Sequence, residues 1–512
     1  MDSSSRVDYY GIAKIRDSLF HFVFGKAFSA IASLVIVVTI IRELEVVEYA
    51  AYATLHALIM FLRLLTSLGA NSALLRFLPD LRVIGNNRSA YAFLMAGILL
   101  RAGLYVAPVG LLFLIANDEL TRVLNLDQWD SILAWYLLVG FFRVTATFTV
   151  GALESLLWQK QAQYSVAVST LLRLAGVTYL VSVGQLNLWN VVLLELITEA
   201  LSLLLLAISG FSKWRGDPAR LDGSLNQLRT DAGRYGRFAF WAYLFSLTTV
   251  LHGSAPNRLI VSAFLGTAST ALFGVIDRLL QFVRQYEPVK LLLGLIRPVF
   301  NANYRSRDDY PAIMSMADGL FRLNLVVLVL PLVPVAVAGE YVFDLLSNGK
   351  YADASGLFLG FYVVLMLGSC MLILELLVKA LELTKIFVVS NLALSISTVT
   401  ALPLLPSIGL WALVCANAVG YLVAIGIVVR FLKRRHFPVK IRWGLVSKIV
   451  VFAIVAIAIG RILSLTGVHE VLAVLFAYLV FLVLTVSRVP FTPQELSIFR
   501  QLLSKRLHSH GQ

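Results

Sequence analysis

The segment Val47–Gly69, VEYAAYATLHALIMFLRLLTSLG, decides the fold. A bilayer core of about 30 Å takes roughly 20 apolar residues of helix, and this run is long enough to cross. Its polar side chains are ordered: His56, Met60, Arg63 and Ser67 follow i, i+4, i+7 and i+11, which puts them on one stripe of a helix. A guanidinium inside hydrocarbon costs roughly 2.5 to 3.5 kcal/mol on insertion scales, so that stripe must face protein or a water-filled space. One span of this kind implies a bundle with a polar interior.

Working outward, the same test gives fourteen candidate spans, at about 19–41, 47–69, 89–116, 131–157, 164–184, 188–208, 237–265, 268–296, 319–338, 355–380, 384–404, 408–430, 444–465 and 469–487. The expected fold class is an all-α polytopic membrane protein. Composition agrees, since 59% of the 512 residues are hydrophobic and only 14% are charged. The first apolar stretch has the length of a full span and lacks a small-residue cleavage site, so a retained helix is expected there rather than a signal peptide.

The formal charge of +14 is distributed in short loops. Arg76, Arg82, Arg88, Lys160, the segment Lys213–Arg234, Lys379, Lys385 and the cluster Arg430, Lys433, Arg434, Arg435 all fall on one side, whereas the other side holds Arg42, Arg122 and Lys350 among many carboxylates. The positive-inside rule then predicts a cell inner-membrane protein with both termini in the cytoplasm and an even number of spans, twelve or fourteen. No solvated basic domain with interleaved aromatics occurs, so a nucleic-acid partner is not expected. Cys370 and Cys415, the two cysteines, lie in apolar runs and offer no disulfide framework or zinc spacing. No metal and no cofactor is predicted.

An internal offset of 221 residues relates polar positions within the spans. His56 matches Asp277, Arg63 matches Arg284 and Glu154 matches Glu375, while Pro79 and Pro298 differ by 219. The pattern predicts two pseudo-symmetric six-helix lobes, 1–210 and 236–432, joined by a basic linker at 211–235 and followed by two further helices and a tail in 433–512.

Positive charges outnumber negative ones inside the spans: Lys26, Arg63, Arg101, Arg143, Arg173, Arg258, Arg278, Arg284 and Arg322 stand against Glu154, Glu195, Glu199, Asp277 and Glu375. Lys26, Arg63, Arg258 and Arg284 are the candidate substrate-binding cations, because arginine's planar fork suits phosphate and carboxylate. Arg173 and Arg322 are expected in structural ion pairs. Glu154, Asp277 and Glu375 are candidates for ion coupling, although Glu375 has Lys379 one turn away. Gly253-Ser254-Ala255-Pro256 is expected to interrupt the seventh span.

Asn257-Arg258-Leu259-Ile260, Phe264-Leu265-Gly266, the core of the eighth span and Arg297-Pro298-Val299-Phe300 resemble the polysaccharide flippases of the multidrug/oligosaccharidyl-lipid/polysaccharide exporter superfamily. The resemblance covers nearly the whole chain. It implies two lobes enclosing a cationic lumen and an alternating-access carrier that moves undecaprenyl-pyrophosphate-linked oligosaccharide from the cytoplasmic to the periplasmic leaflet, for O-antigen or exopolysaccharide synthesis. Implied partners are that lipid-linked oligosaccharide, the bilayer and other polysaccharide assembly proteins. Ala271, Leu272 and Phe273 depart from the family's small residue and Tyr. Two other readings stand beside it: a cation-coupled multidrug antiporter of the same superfamily, and a membrane glycosyltransferase or polymerase using Glu43-Leu44-Glu45. The second lacks a large outer loop, a nucleotide motif and a nucleophile constellation, so a non-enzyme is expected.

Overall fold

The computed structural model describes residues 12–218, 220–250, 252–290, 310–381, 383 and 385–487, with the side chains of 12–24, 26 and 27 excepted. Among the described residues the chain is helical, without strands. The helices are α1 (Ile12–Glu43), α2 (Val46–Leu65), α3 (Ala70–Val83), α4 (Asn87–Val123), α5 (Asp130–Ser155), α6 (Gln159–Ser182), α7 (Leu188–Arg215) and α8 (Asn226–Leu247). They continue as α9 (Ser254–Gln285), α10 (Tyr310–Ser347), α11 (Ala354–Ala380), α12 (Lys385–Ala401), α13 (Trp411–Arg434), α14 (Trp443–Leu465) and α15 (Glu470–Ser487). Short helical turns carry α12 on to Ile408.

Twelve of these helices are long and apolar enough to cross a membrane; α1, α3 and α8 are not among them. The difference from fourteen has a local cause. Nearly half of the side chains of α1, those of 12–24, 26 and 27, lie outside the described residues. Arg229, Asp231, Arg234 and Arg237 occupy the N-terminal part of α8, leaving an apolar remainder too short to span. The expected span at 237–265 is interrupted between Leu247 and Ser254, beginning a few residues before the expected Gly253–Pro256 break, and there the Thr248 and Thr249 hydroxyls bond back to the carbonyls of Phe245 and Ser246 at 2.7 Å each. Such back-bonding offers the backbone an alternative to the helix ladder. The chain restarts at Ser254 with Pro256 in the first turn, where its missing N–H costs nothing. The break expected near residue 266 appears as a kink within α9, at Gly266 with φ +73°.

Two compact units make up the chain, Met1–Gly274 and Val275–Gln512. Within the first, α1 packs on α6, α4 on α5, α5 on α7, α6 on α7, and α8 on α3. Within the second, α10 packs on α11, α11 on α13, α12 on α13, and α14 and α15 on α10 and on each other. Helix order therefore repeats: the starts of α4 to α7 at 87, 130, 159 and 188 answer those of α10 to α13 at 310, 354, 385 and 411, offset by 223, 224, 226 and 223 residues. Both α4 and α10 lose helical geometry late, at Ala116 and at Ala338, 222 residues apart (338 − 116).

Without water to drive association, spanning helices rely on close contact through small residues. Gly176 of α6 lies against Leu194 of α7, and Gly460 of α14 lies against Val337 of α10 and Ala477 of α15. The turn between α2 and α3 needs a glycine for two reasons: Gly69 has φ +74°, and a Cβ there would stand 1.9 Å from the Ala239 carbonyl oxygen.

Candidate functional site

The first unit gathers a buried ionic cluster from four helices. Glu195 and Glu199, one turn apart on α7, share a face. Arg143 of α5 donates from Nη2 to Glu195 at 2.8 Å and from Nε to Glu199 at 2.8 Å. Arg173 of α6 donates to Glu199 at 2.9 Å and to the Thr198 hydroxyl at 3.0 Å, and it lies 3.7 Å from Glu195. Tyr52 of α2 and Tyr136 of α5 complete the shell by donating to Glu195 at 2.9 and 3.1 Å. Two cations meet two anions here, so the cluster is neutral. It ties α2, α5, α6 and α7 together, a structural use that leaves no charge for a ligand.

Arg101 is also consumed. It lies 3% exposed on α4 and donates to the Thr66 hydroxyl at 3.0 Å and to the carbonyl of Arg63 at 2.6 Å. Those groups belong to the end of α2, whose last carbonyls have no partner within the helix. A cation at a helix C-terminus is favoured by the helix dipole as well. Arg101 thus fixes the backbone from which Arg63 projects.

Arg63 itself differs. It occupies the last turn of α2, its residue is exposed, and its side chain enters no salt bridge among the described residues. Arg101 and Arg143 are its charged neighbours, both positive. The other predicted cations fall in three situations. Lys26 lies on α1 with its side chain outside the described residues. Arg258 is buried at the start of α9 and donates to the Ala53 carbonyl at 3.2 Å. Arg284 is half-buried in the last turn of α9, again without a salt bridge among the described residues, with Glu287 and Lys290 in its electrostatic neighbourhood.

Of the candidate coupling carboxylates, Glu154 accepts from Gln163 at 2.7 Å, Asp277 is buried and accepts from Gln281 at 2.8 Å, and Glu375 is paired with Lys379. Arg173 and Arg322 form ion pairs as expected, the latter with Asp318 at 2.9 Å. The sequence reading missed Tyr52 and Tyr136. Their only signal was position, since both lie within spans that carry charges. Arg297 and Pro298 lie outside the described residues. No group of three or more His, Cys, Asp or Glu side chains able to hold a metal occurs among the described residues.

No protein-family profile and no curated protein matches the sequence. Solved structures do match. The lipid II flippase MurJ in an inward closed conformation aligns over 94% of this chain and 99% of its own, with a TM-score of 0.63 at 12% identity. An inward-facing multidrug resistance MATE family transporter of the MOP superfamily aligns over 80% of this chain and 94% of its own, with a TM-score of 0.61 at 13% identity. The chain has the fold of the MOP transporters. A MATE crystal structure in complex with MaD3S matches less closely, at a TM-score of 0.54 and 14% identity over 83% of this chain and 95% of its own. At such identities the MOP fold carries over and residue roles do not.

Proposed function

We propose that this chain is a flippase that moves an undecaprenyl-pyrophosphate-linked oligosaccharide from the cytoplasmic to the periplasmic leaflet by alternating access, supplying surface polysaccharide synthesis. One observation carries the reading: Arg63 is accessible and lacks a salt bridge among the described residues, while its neighbours Arg143 and Arg101 are tied to carboxylates and backbone carbonyls. A guanidinium left in that state is held for an anion. A pyrophosphate satisfies both its charge and its planar donor fork. Arg284, in the last turn of α9, also lacks a salt bridge among the described residues, although it is half-buried and has Glu287 in its electrostatic neighbourhood. An organic cation would meet repulsion from Arg63 at the same place, which disfavours multidrug antiport. The MOP fold, shared with a lipid II flippase, accommodates lipid-linked cargo.

The test is translocation of a fluorescent undecaprenyl-pyrophosphate oligosaccharide in proteoliposomes of the full chain. Protein-dependent movement that Arg63→Ala abolishes and Arg63→Lys partly restores is the expected result. Normal transport by Arg63→Ala at limiting substrate, or uptake of cationic drugs in place of the lipid, overturns it.

A further inference from the structure

The first unit contains an apolar cavity of about 750 Å³ that the transport reading does not use. It lies where α4 begins and α5 and α7 end, and its walls include Leu94, Met95, Leu153, Leu203, Leu206 and Phe211. Pockets for small ligands run from roughly 300 to 1,000 Å³, so the space suits a molecule rather than a few waters. The flank beside it is apolar and uncovered: Met95, Leu99, Leu204, Ile208 and Phe211 are each more than half exposed. In a spanning bundle such a flank faces lipid. A ligand therefore enters from the bilayer, chain first.

The rim has a sign. Arg88 and Arg220 both line the cavity. Among the described residues Arg88, which is exposed, forms no salt bridge, and Arg220 donates to the carbonyls of Arg215 and Asp217, at 3.0 and 3.5 Å. Lys213 and Arg215 end α7 beside them. Basic side chains clustered next to the end of a spanning helix attract anionic lipid.

The roof is built rather than loose. Asp217 is paired with Arg82 and accepts from the Tyr91 hydroxyl at 2.7 Å. The Arg88 amide donates to the Asp222 carbonyl at 2.8 Å, and the Ser224 carbonyl accepts from Ser89 at 2.7 Å and from Asn86 at 3.0 Å. Gly223, at φ +96°, passes so close to Asn86 that a Cβ would stand 2.2 Å from its Oδ1. These contacts hold the α7–α8 connection over the cavity before any ligand arrives, which lowers the ordering cost of binding.

We propose that this cavity binds one anionic phospholipid of the bilayer, an acyl chain among Leu94, Leu153, Leu203 and Phe211 and the phosphate between Arg88 and Arg220. Arg63 is not among the residues lining this site, and the proposal is independent of which species is transported.

The test uses the full chain in phosphatidylcholine nanodiscs carrying trace phosphatidylglycerol with a photoreactive acyl chain. Labelling should map to the peptides of Met95 and Phe211. Arg88→Gln and Arg220→Gln should each weaken it about fivefold, since a basic residue near the membrane surface contributes about 1 kcal/mol toward anionic lipid. Ala207→Trp, which fills the cavity and keeps both charges, should remove it. Because Ala207→Trp can also disturb packing, the arginine variants, altered only at the rim, decide independently, with the melting temperature of each variant as the check on folding. Equal labelling by a phosphatidylcholine probe of the same chain, or phosphatidylglycerol labelling unchanged in the double arginine variant, overturns the proposal. Displacement of the probe by undecaprenyl phosphate at lower concentration than by phosphatidylglycerol reassigns the cavity to a polyprenyl chain and overturns it equally.

Discussion

The two units handle buried charge differently. The first sets Arg143 and Arg173 against Glu195 and Glu199 in the middle of its helices. The second clears the corresponding stretches: α11 has no charged residue before Glu375, and α13 none before Arg430. Its buried ion pair sits instead near the start of α10, where Asp318 accepts from Arg322 and from the Arg442 amide at 2.9 and 3.1 Å. Repeated helix order therefore coexists with unlike interiors. What the two share is an arginine without a salt bridge among the described residues, Arg63 or Arg284, in the last turn of α2 or α9. Charges that merely hold a bundle together are replaceable by apolar packing. A charge present in both halves and in a salt bridge in neither, among the described residues, is open to another use.

The largest effect that tests this contrast is expected at Glu195. Its carboxylate serves Arg143, Tyr52 and Tyr136 directly, so Glu195→Ala leaves a buried guanidinium short of a partner and should cost about 3 to 5 kcal/mol, or prevent accumulation of folded protein. Asp318→Asn removes the carboxylate charge beside Arg322, which is 0% exposed, and should cost about 3 kcal/mol, read as a fall in melting temperature of the detergent-solubilised protein. If Glu195→Ala melts like the unaltered chain, the cluster does not hold the first unit and the contrast between the halves is lost.

Next in size is the loss at Arg63 and Arg284, read in transport instead of stability. Arg63→Ala or Arg284→Ala removes a charge-assisted contact of about 1.5 to 3 kcal/mol, a ten- to hundredfold loss of apparent affinity. Melting should move by less than the equivalent of about 0.5 kcal/mol, as for other substitutions outside the packed interior. An effect on melting comparable to that of Asp318→Asn would make Arg63 a structural residue like Arg143. A superposition of the two units should also bring His56, Arg63 and Glu154 onto Asp277, Arg284 and Glu375; separations beyond one helical turn would dissolve the pairing on which the equivalence rests.

Much of this was legible in the sequence. The apolar runs gave the spanning helices, because the bilayer imposes length and hydropathy on each one separately. Partnership was not. Arg143 and Glu195 are separated by 52 residues, and nothing in the spacing of α5 or α7 says that their charged faces meet. Only the i, i+4 pair Glu195 and Glu199 hinted at a shared target. The segment 211–235 read as a polar connection, while the structure ties it to Asn86 and Ser89 through the Ser224 backbone carbonyl and to Tyr91 through the Asp217 carboxylate, contacts that no residue pattern announces. Accessibility of Arg63 likewise depends on which neighbours are already engaged.

The smallest expected effects concern Glu154 and Glu375, one in each unit at matched positions. Both are partly exposed and modestly engaged, Glu154 by the Gln163 amide and Glu375 by Lys379 on its own helix. Pairs of that kind contribute about 0 to 1 kcal/mol, so Glu154→Gln and Glu375→Gln should each leave melting nearly unchanged. Their transport phenotype is then read free of folding effects. A carboxylate that couples transport must take up and release a cation in each cycle, and its amide cannot, so a coupling role predicts loss of the pH or sodium dependence of translocation with substrate affinity intact. The existing partners point the other way, since Glu375 already has the Lys379 ammonium as its counter-charge. Transport by the double Gln variant with the same dependence on pH and sodium as the unaltered chain is therefore the expected outcome, and it would leave Arg63 and Arg284, without salt bridges among the described residues, as the charged feature the two halves share. Loss of that dependence in Glu154→Gln alone would instead assign the driving ion to the first unit.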